Sequence, residues 1–283
     1  MREVRGKDVA GQMKEQLQAE LKQMDRIPRL AIIRVGERPD DMAYERGALK
    51  RMEGIGLRCT THTFPGDIAG EVFTEEFLEI NENPDVDGIL LLRPLPKQID
   101  EKAIEKLIDP VKDVDGISPL NIAQVFAGEE GGFAPCTAEA VVETLLYIGE
   151  PLSGKRAVVI GRSMVVGKPL AMLLLKQNCT VTTCHTRTAD MPSVCRSGDI
   201  VVACAGNAKM VDDSFIRQGA MLIDVGINVD EEGKLCGDVN YDAIQEKAGI
   251  ATPVPGGIGT VTTSVLAKHV IRAAKQRKYE YTI

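Results

Sequence analysis

The stretch from Lys155 to Leu175, KRAVVIGRSMVVGKPLAMLLL, constrains this chain most. Ala157–Ile160 is a short apolar, β-branched run of the kind that buries both faces in a parallel sheet. Gly161 ends it, Arg162 and Ser163 follow, and Gly167 precedes a helical run from Pro169 to Lys176. A strand, a glycine-bounded turn and a helix in that order aim backbone N–H groups and a helix N-terminus at whatever lies beyond the sheet, which suits a phosphate. The glycines are not spaced as GxGxxG, so a plain packing turn stays open at this point.

The same alternation runs through the whole chain. Leu30–Val35, Leu57–Phe64 and Asp87–Arg93 read as strands, separated by helical patterns at 40–54 and 73–81. An amphipathic helix carrying Val9, Met13, Leu17 and Leu21 precedes them, and a short helix at 102–108 follows. In the second half Thr180–Cys184, Ile200–Ala203 and Met221–Val225 read as further strands, with a helix at 212–218 and a last one from Val265 to Lys275. Strands that alternate with helices make parallel sheets with right-handed crossovers. The expected fold is α/β, as two three-layer α/β domains, the second a Rossmann-like doubly wound parallel sheet. A length of 283 residues also favours two domains. The loop 109–119 and the Gly/Glu cluster 128–132 place the boundary near residue 120, giving domains over 1–120 and 121–261.

Composition removes several function classes. A net charge of −7 argues against a nucleic-acid-binding face. No apolar run reaches the length of a membrane span, and MREVRGKDVAG lacks the core of a signal peptide. The seven cysteines are scattered without CxxC pairs, so no metal site is expected and the thiols read as reduced and cytoplasmic.

In doubly wound folds ligands bind beyond the carboxyl ends of the strands. Three stretches fall there: the turn 161–167, residues 203–207 and DVGIN at 224–228. The strand ending at Cys184 leads into His185, Thr186 and Arg187, where a Rossmann unit reads the adenosine ribose. No acid stands there, and Thr186 with Arg162 or Arg187 could pair with a 2′-phosphate. That favours NADP, with NAD as the alternative. Pro253, Pro255, Gly256, Gly257 and Gly259 combine fixed and permissive backbone, as a ligand lid would. Asp113 and Asp115 in KDVDG are either paired acids or turn caps. Cys136 reads as structural.

Taken together, Tyr44 after Val35-Gly36, DGILLLRPLP at 87–96, KDVDG at 112–116, PCT at 135–137, GRSMVVGKP at 161–169, DVGIN, GDVN at 237–240 and TPVPGGIGTVT at 252–262 resemble the methylenetetrahydrofolate dehydrogenase/cyclohydrolase family, in the family's order. The resemblance implies two α/β domains around a cleft, with the last helix, over 262–283, returning to the N-terminal domain. It implies tetrahydrofolate derivatives as substrates and a homodimer. Tyr44 matches the residue that stacks on the pterin, Asp115 the one that holds its polar edge, and Pro255, Gly256 and Gly257 the lining of the substrate pocket. Gly161, Arg162, Ser163, Thr186 and Ile227 match cofactor contacts.

Two departures stand out. The family's Tyr-x-x-x-Lys places its lysine at Ala48, and the family's glutamine two residues before Pro-Leu-Pro is Leu92. Hydride transfer mainly needs alignment and exclusion of water. Hydrolysis of the methenyl product also needs a placed acid–base group, worth about 10²–10⁴-fold. The expectation is a dehydrogenase with weak or absent cyclohydrolase activity, with the fully bifunctional enzyme and a non-catalytic NADP-binding paralogue as alternatives. Lys50 and Arg93 are the candidate replacements. Thr260, where the family has proline, softens the lid.

Overall fold

The computed structural model describes residues 1–280, and the last three positions of the expected C-terminal helix lie outside the described residues. The chain divides into two compact units, one of residues 13–136 with those from 263 onward, the other of residues 1–12 with 137–262. In chain order the elements are β1 (Arg2–Glu3), α1 (Gly6–Leu21), β2 (Arg29–Val35), α2 (Pro39–Ile55), β3 (Arg58–Phe64), α3 (Gly70–Glu82), β4 (Gly88–Leu91), α4 (Glu101–Leu107) and α5 (Pro119–Ala127). They continue with α6 (Cys136–Ile148), β5 (Arg156–Ile160), α7 (Gly167–Lys176), β6 (Thr180–Cys184), α8 (Met191–Arg196), β7 (Ile200–Ala203), β8 (Met221–Asp224), β9 (Asn228–Val229), β10 (Leu235–Cys236), β11 (Ile250–Ala251) and α9 (Thr262–Glu280). Among the described residues no helix is long and apolar enough to cross a membrane.

The first unit is built on a three-stranded parallel sheet in the order β3-β2-β4. Leu30, Ala31, Ile32 and Ile33 are all fully buried, because helices cover both faces of the central strand. Phe73, Phe77 and Ile104 pack on one face. On the other, a Cβ at Gly88 would meet Val114 and Val270, so glycine lets α9 approach β4. Arg277 of α9 then donates to the Val86 carbonyl (2.6 Å) and to the fully buried Asp87 (3.3 Å).

The second unit holds a six-stranded parallel sheet, β1-β11-β8-β7-β5-β6, and an antiparallel β9–β10 hairpin. Val158, Ile160, Val201 and Ala203 form part of one buried cluster, while their neighbours Ala157, Val159, Ile200 and Val202 are equally buried, so both faces are covered. The chain leaves β5 for β6 on one side and returns to β7 on the other. The switch point of a doubly wound sheet therefore lies between the carboxyl ends of β5 and β7.

Several expectations differ from what is found. The units part at 136/137 rather than at 120/121. Asn121 is buried, donates to Asp113 (2.8 Å) and accepts from the Phe133 N–H (3.1 Å), and Arg272 stacks 4.0 Å from the Phe133 ring, which fastens 121–136 to the first unit. Residues 1–12 belong to the second unit because β1 extends its sheet through β11. The helix expected at 212–218 is only a 3₁₀ turn over Asp213–Phe215, capped by Asp212 and followed by extended Ile216. Helices α5 and α8 were not expected; Pro at their first turns and side-chain caps from Ser118 and Asp190 start them.

Candidate functional site

In the second unit the expected cofactor residues gather at one edge of the sheet, beyond the carboxyl ends of β5, β6 and β8. Gly161 has φ +144° and donates to the Cys184 carbonyl (2.9 Å). A Cβ there would overlap Cys204 on the neighbouring strand end, and one at Gly167 would lie 2.8 Å from the Arg162 nitrogen. The two irregularly spaced glycines thus fold the turn back onto itself and onto β7. Ser163 Oγ accepts the Val166 N–H (3.1 Å), which fixes the loop just before α7. Arg162, Ser163, Met164 and Val165 stay exposed on this turn, and Ile227 is 70% exposed beyond β8. Thr186 is exposed on the turn after β6, which is tied by His185 N–H to Thr188 Oγ1 (2.9 Å) and Arg187 N–H to His185 Nδ1 (3.1 Å).

Pro255 and Gly256 are exposed and Gly257 is buried. The segment is a fastened loop rather than a loose lid: Gly6 N–H donates to the Gly256 carbonyl (2.8 Å), and Gly257 leads into a 3₁₀ turn at Ile258–Thr260.

Two buried carboxylates set this edge, and the sequence reading missed them. Asp238 accepts from the Ala205, Gly206 and Asn207 N–H groups (2.6, 3.0 and 2.8 Å) and from Asn228 Nδ2 (2.9 Å). Asp224 accepts from the N–H groups of Gly226, Asp238 and Val239 (2.9, 3.0 and 3.0 Å). Burial first, and the neighbouring Asp238 charge, raise the Asp224 carboxyl to about 6 against the backbone donors that oppose it. Gly226 and Gly237 are glycines because a Cβ at either would lie 2.5 Å from the facing Asp238 or Asp224 Cγ. The only signal in the sequence was that DVGIN and GDVN each pair an aspartate with a glycine.

In the first unit Tyr44 and Ala48 lie on α2, one turn apart; Tyr44 is half-buried and Ala48 fully buried. Leu92 is 7% exposed, its N–H bonded to the Ile33 carbonyl (2.9 Å) at the end of the β2–β4 ladder. The two acids of KDVDG separate. Asp113 is a turn cap, accepting from Ile117 N–H (3.0 Å), Ser118 N–H (2.7 Å) and Asn121. Asp115 is half-buried and accepts the Cys136 N–H (3.0 Å). Burial raises its carboxyl above the ordinary value, opposed by the Cys136 N–H and thiol and by the Arg93 charge. Cys136 thus holds Asp115 in place. Behind it His269 Nδ1 meets the Val114 carbonyl at 2.8 Å, and since a carbonyl only accepts, the imidazole proton sits there.

The two candidate replacements for the missing polar pair are engaged or turned away. Arg93 binds Glu105 (2.8 Å) and Glu101 (3.4 Å). Lys50 is exposed, and six residues along a helix set it about 120° from Tyr44.

Comparison with known proteins agrees with the two-unit architecture. Residues 4–115 match the family model of the tetrahydrofolate dehydrogenase/cyclohydrolase catalytic domain, and residues 135–278 match that of its NAD(P)-binding domain. The bifunctional protein FolD of Clostridium kluyveri is 51% identical over 280 residues, 97% of this chain and 98% of that protein. The crystal structure of the bifunctional dehydrogenase/cyclohydrolase FolD from Campylobacter jejuni superposes with a TM-score of 0.93 at 34% identity, covering 98% of this chain and 99% of that one. The Trypanosoma brucei methylenetetrahydrofolate dehydrogenase-cyclohydrolase, solved with NADP and an inhibitor, gives 0.90 at 35% identity with 97% of each chain covered. These names carry both activities, so the expectation of weakened hydrolysis rests on Ala48 and Leu92 alone. The chain belongs to the tetrahydrofolate dehydrogenase/cyclohydrolase family.

Proposed function

We propose that this protein oxidises 5,10-methylenetetrahydrofolate to the 5,10-methenyl compound with NADP as hydride acceptor and, in the manner its relatives' names describe, hydrolyses that product to 10-formyltetrahydrofolate. The observation that carries the proposal is the presence of Tyr44 and the half-buried carboxylate of Asp115 in the first unit of a chain whose second unit presents the Gly161–Gly167 turn. The cofactor fits that turn. Only glycine at 161 and 167 lets the turn close on itself and on β7, and the exposed Arg162 guanidinium and Ser163 and Thr186 hydroxyls suit phosphate oxygens. Ile227 offers an exposed apolar contact for the nicotinamide end. NADP, when bound, supplies the hydride acceptor.

The chain's own residues orient and hold. Tyr44 gives the pterin a flat apolar face, and Asp115 accepts from its N–H edge. Hydride loss leaves a cation that the folate nitrogens stabilise, so alignment is the main demand on the protein. Purified protein with methylenetetrahydrofolate is expected to form NADPH, and more slowly NADH from NAD. No reduced cofactor from either would overturn the proposal. Arg162→Ala is expected to raise KM for NADP about tenfold or more while KM for NAD moves less than about threefold, the scale of one charge-assisted hydrogen bond. An equal rise for both cofactors would remove the 2′-phosphate role.

A second reading keeps the dehydrogenase and weakens the hydrolase. Its specific observation is that the positions matching the family's lysine and glutamine are the buried apolar side chains Ala48 and Leu92. Without a placed acid–base group, decay of the methenyl compound should lag NADPH formation by about 10²–10⁴-fold. Ala48→Lys with Leu92→Gln should raise it. Matched rates for the two steps on one wild-type preparation would return the fully bifunctional enzyme. A cytoplasmic homodimer completes the proposal; monomeric mass by light scattering, or export of the protein in cell fractionation, would correct it.

A further inference from the structure

We propose that Arg51 makes a cationic contact to the folate, donating to an acceptor oxygen of the substrate on the face of α2 that carries Tyr44. The inference rests on the folate reading above and names a substrate residue that the resemblance does not.

Helix phase is the first ground. Tyr44, Ala48 and Arg51 stand at i, i+4 and i+7, so Arg51 lies about 20° around the helix from Tyr44 and about 60° from Ala48. Side chains on a helix lean toward its N-terminus, so a long side chain at 51 covers the preceding turn, where Ala48 offers only a methyl.

The second ground is how the side chain is held. Arg51 is half-buried, and its Nε donates to Thr263 Oγ1 at 3.3 Å, in the first turn of α9 and in the same unit. That bond uses the inner donor of the guanidinium and orients its plane. Burial alone lowers the guanidinium below its ordinary range, as expected for a cation drawn out of bulk water.

Comparison with the neighbouring cations supplies the third. Lys50 and Arg46 on the same helix are exposed and stand about 120° and 160° around it from Tyr44. Arg51 is the one of these that shares Tyr44's face. A guanidinium donates but does not shuttle protons near neutral pH. Its part is therefore to bind and orient the substrate rather than to move a proton in place of the family's lysine.

The test compares Arg51→Met, which keeps most of the packing stem, and Arg51→Lys, which keeps the charge. Calorimetry with tetrahydrofolate gives Kd, and steady-state kinetics give KM for methylenetetrahydrofolate and for NADP separately. Arg51→Met should raise Kd and the folate KM about 10–100-fold, leave KM for NADP within about twofold and keep the melting temperature. Arg51→Lys should recover at least a third of the loss on a logarithmic scale. Unchanged folate Kd and KM, or equal losses for folate and NADP with a lowered melting temperature, would overturn the contact. If wild-type protein binds tetrahydrofolate but forms no NADPH, the dehydrogenase proposal falls and the calorimetry alone decides Arg51. If it binds no tetrahydrofolate, both fall.

Discussion

Asp238→Asn is expected to lower the melting temperature and to weaken NADP binding together, unlike any change to the exposed side chains of the cofactor edge. Asp238 is fully buried, and four donors converge on its two oxygens: three consecutive backbone N–H groups after β7 and the Asn228 amide after β8. Asparagine has one accepting oxygen, and its amide hydrogens would face the Ala205 and Gly206 N–H groups. Each charge-assisted bond lost costs about 1.5–3 kcal/mol, and an unsatisfied buried donor costs a comparable amount. A net loss of ~3–5 kcal/mol follows, a drop of roughly 10 °C for a unit of this size. The same bonds hold residues 205–207 and Asn228 at the switch point. NADP affinity should therefore fall by about tenfold or more even under conditions where the variant is folded. Circular dichroism melting and calorimetric titration with NADP check both parts; an unchanged melting temperature with unchanged affinity would show that other contacts hold these loops. Arg162→Ala serves as the contrast, with cofactor affinity lost and melting unchanged.

Asp115→Asn is expected to do the opposite: the fold survives and folate turnover fails. An asparagine Oδ1 can still accept the Cys136 N–H that Asp115 holds at 3.0 Å. The charge is what changes. Burial raises the Asp115 carboxyl above the ordinary carboxylate value of about 4, so the native state holds this proton more tightly than the unfolded chain. Its contribution to stability is therefore fully present below the unfolded value and is lost as pH rises through the folded one. At neutral pH the ionised group costs stability, and the amide removes that cost. Stability of the variant should be equal to or slightly above wild type at pH 7. Turnover moves the other way, because an amide nitrogen would meet the N–H edge that a carboxylate accepts. Loss of one charged hydrogen bond plus that repulsion predicts a fall of about 10²-fold in kcat/KM for methylenetetrahydrofolate. The wild-type pH profile should show an acid limb that begins above the ordinary carboxylate range and is absent from the residual activity of the variant. A variant with near-normal kcat/KM would remove Asp115 from the substrate site.

Much of the architecture was legible because parallel strands buried on both faces read as unbroken apolar runs. Leu30–Ile33, Ala157–Ile160 and Ile200–Ala203 were recognisable without any partner in view. Helix phase was legible too, since it follows from spacing alone, which is why Lys50 could be set aside as a substitute for the residue at Ala48. The Gly161–Gly167 turn announced itself through residues that only a tight backbone approach requires. What the sequence could not supply were pairings whose other half has no side-chain signature. Asp238 and Asp224 act on backbone N–H groups, and any residue type carries those. The strand β1 exists only because Ile250–Ala251 lies beside it. The placement of α9 depends on Arg277 reaching Asp87 across 190 residues. Local pattern determines which segments become strands, helices and tight turns, because periodicity and backbone freedom are properties of neighbours in the chain. Tertiary structure alone decided which buried carboxylates hold the cofactor edge, that Asp113 caps a turn while Asp115 keeps partial exposure, and that Arg51 is restrained by Thr263. Those outcomes depend on burial and on partners distant in sequence.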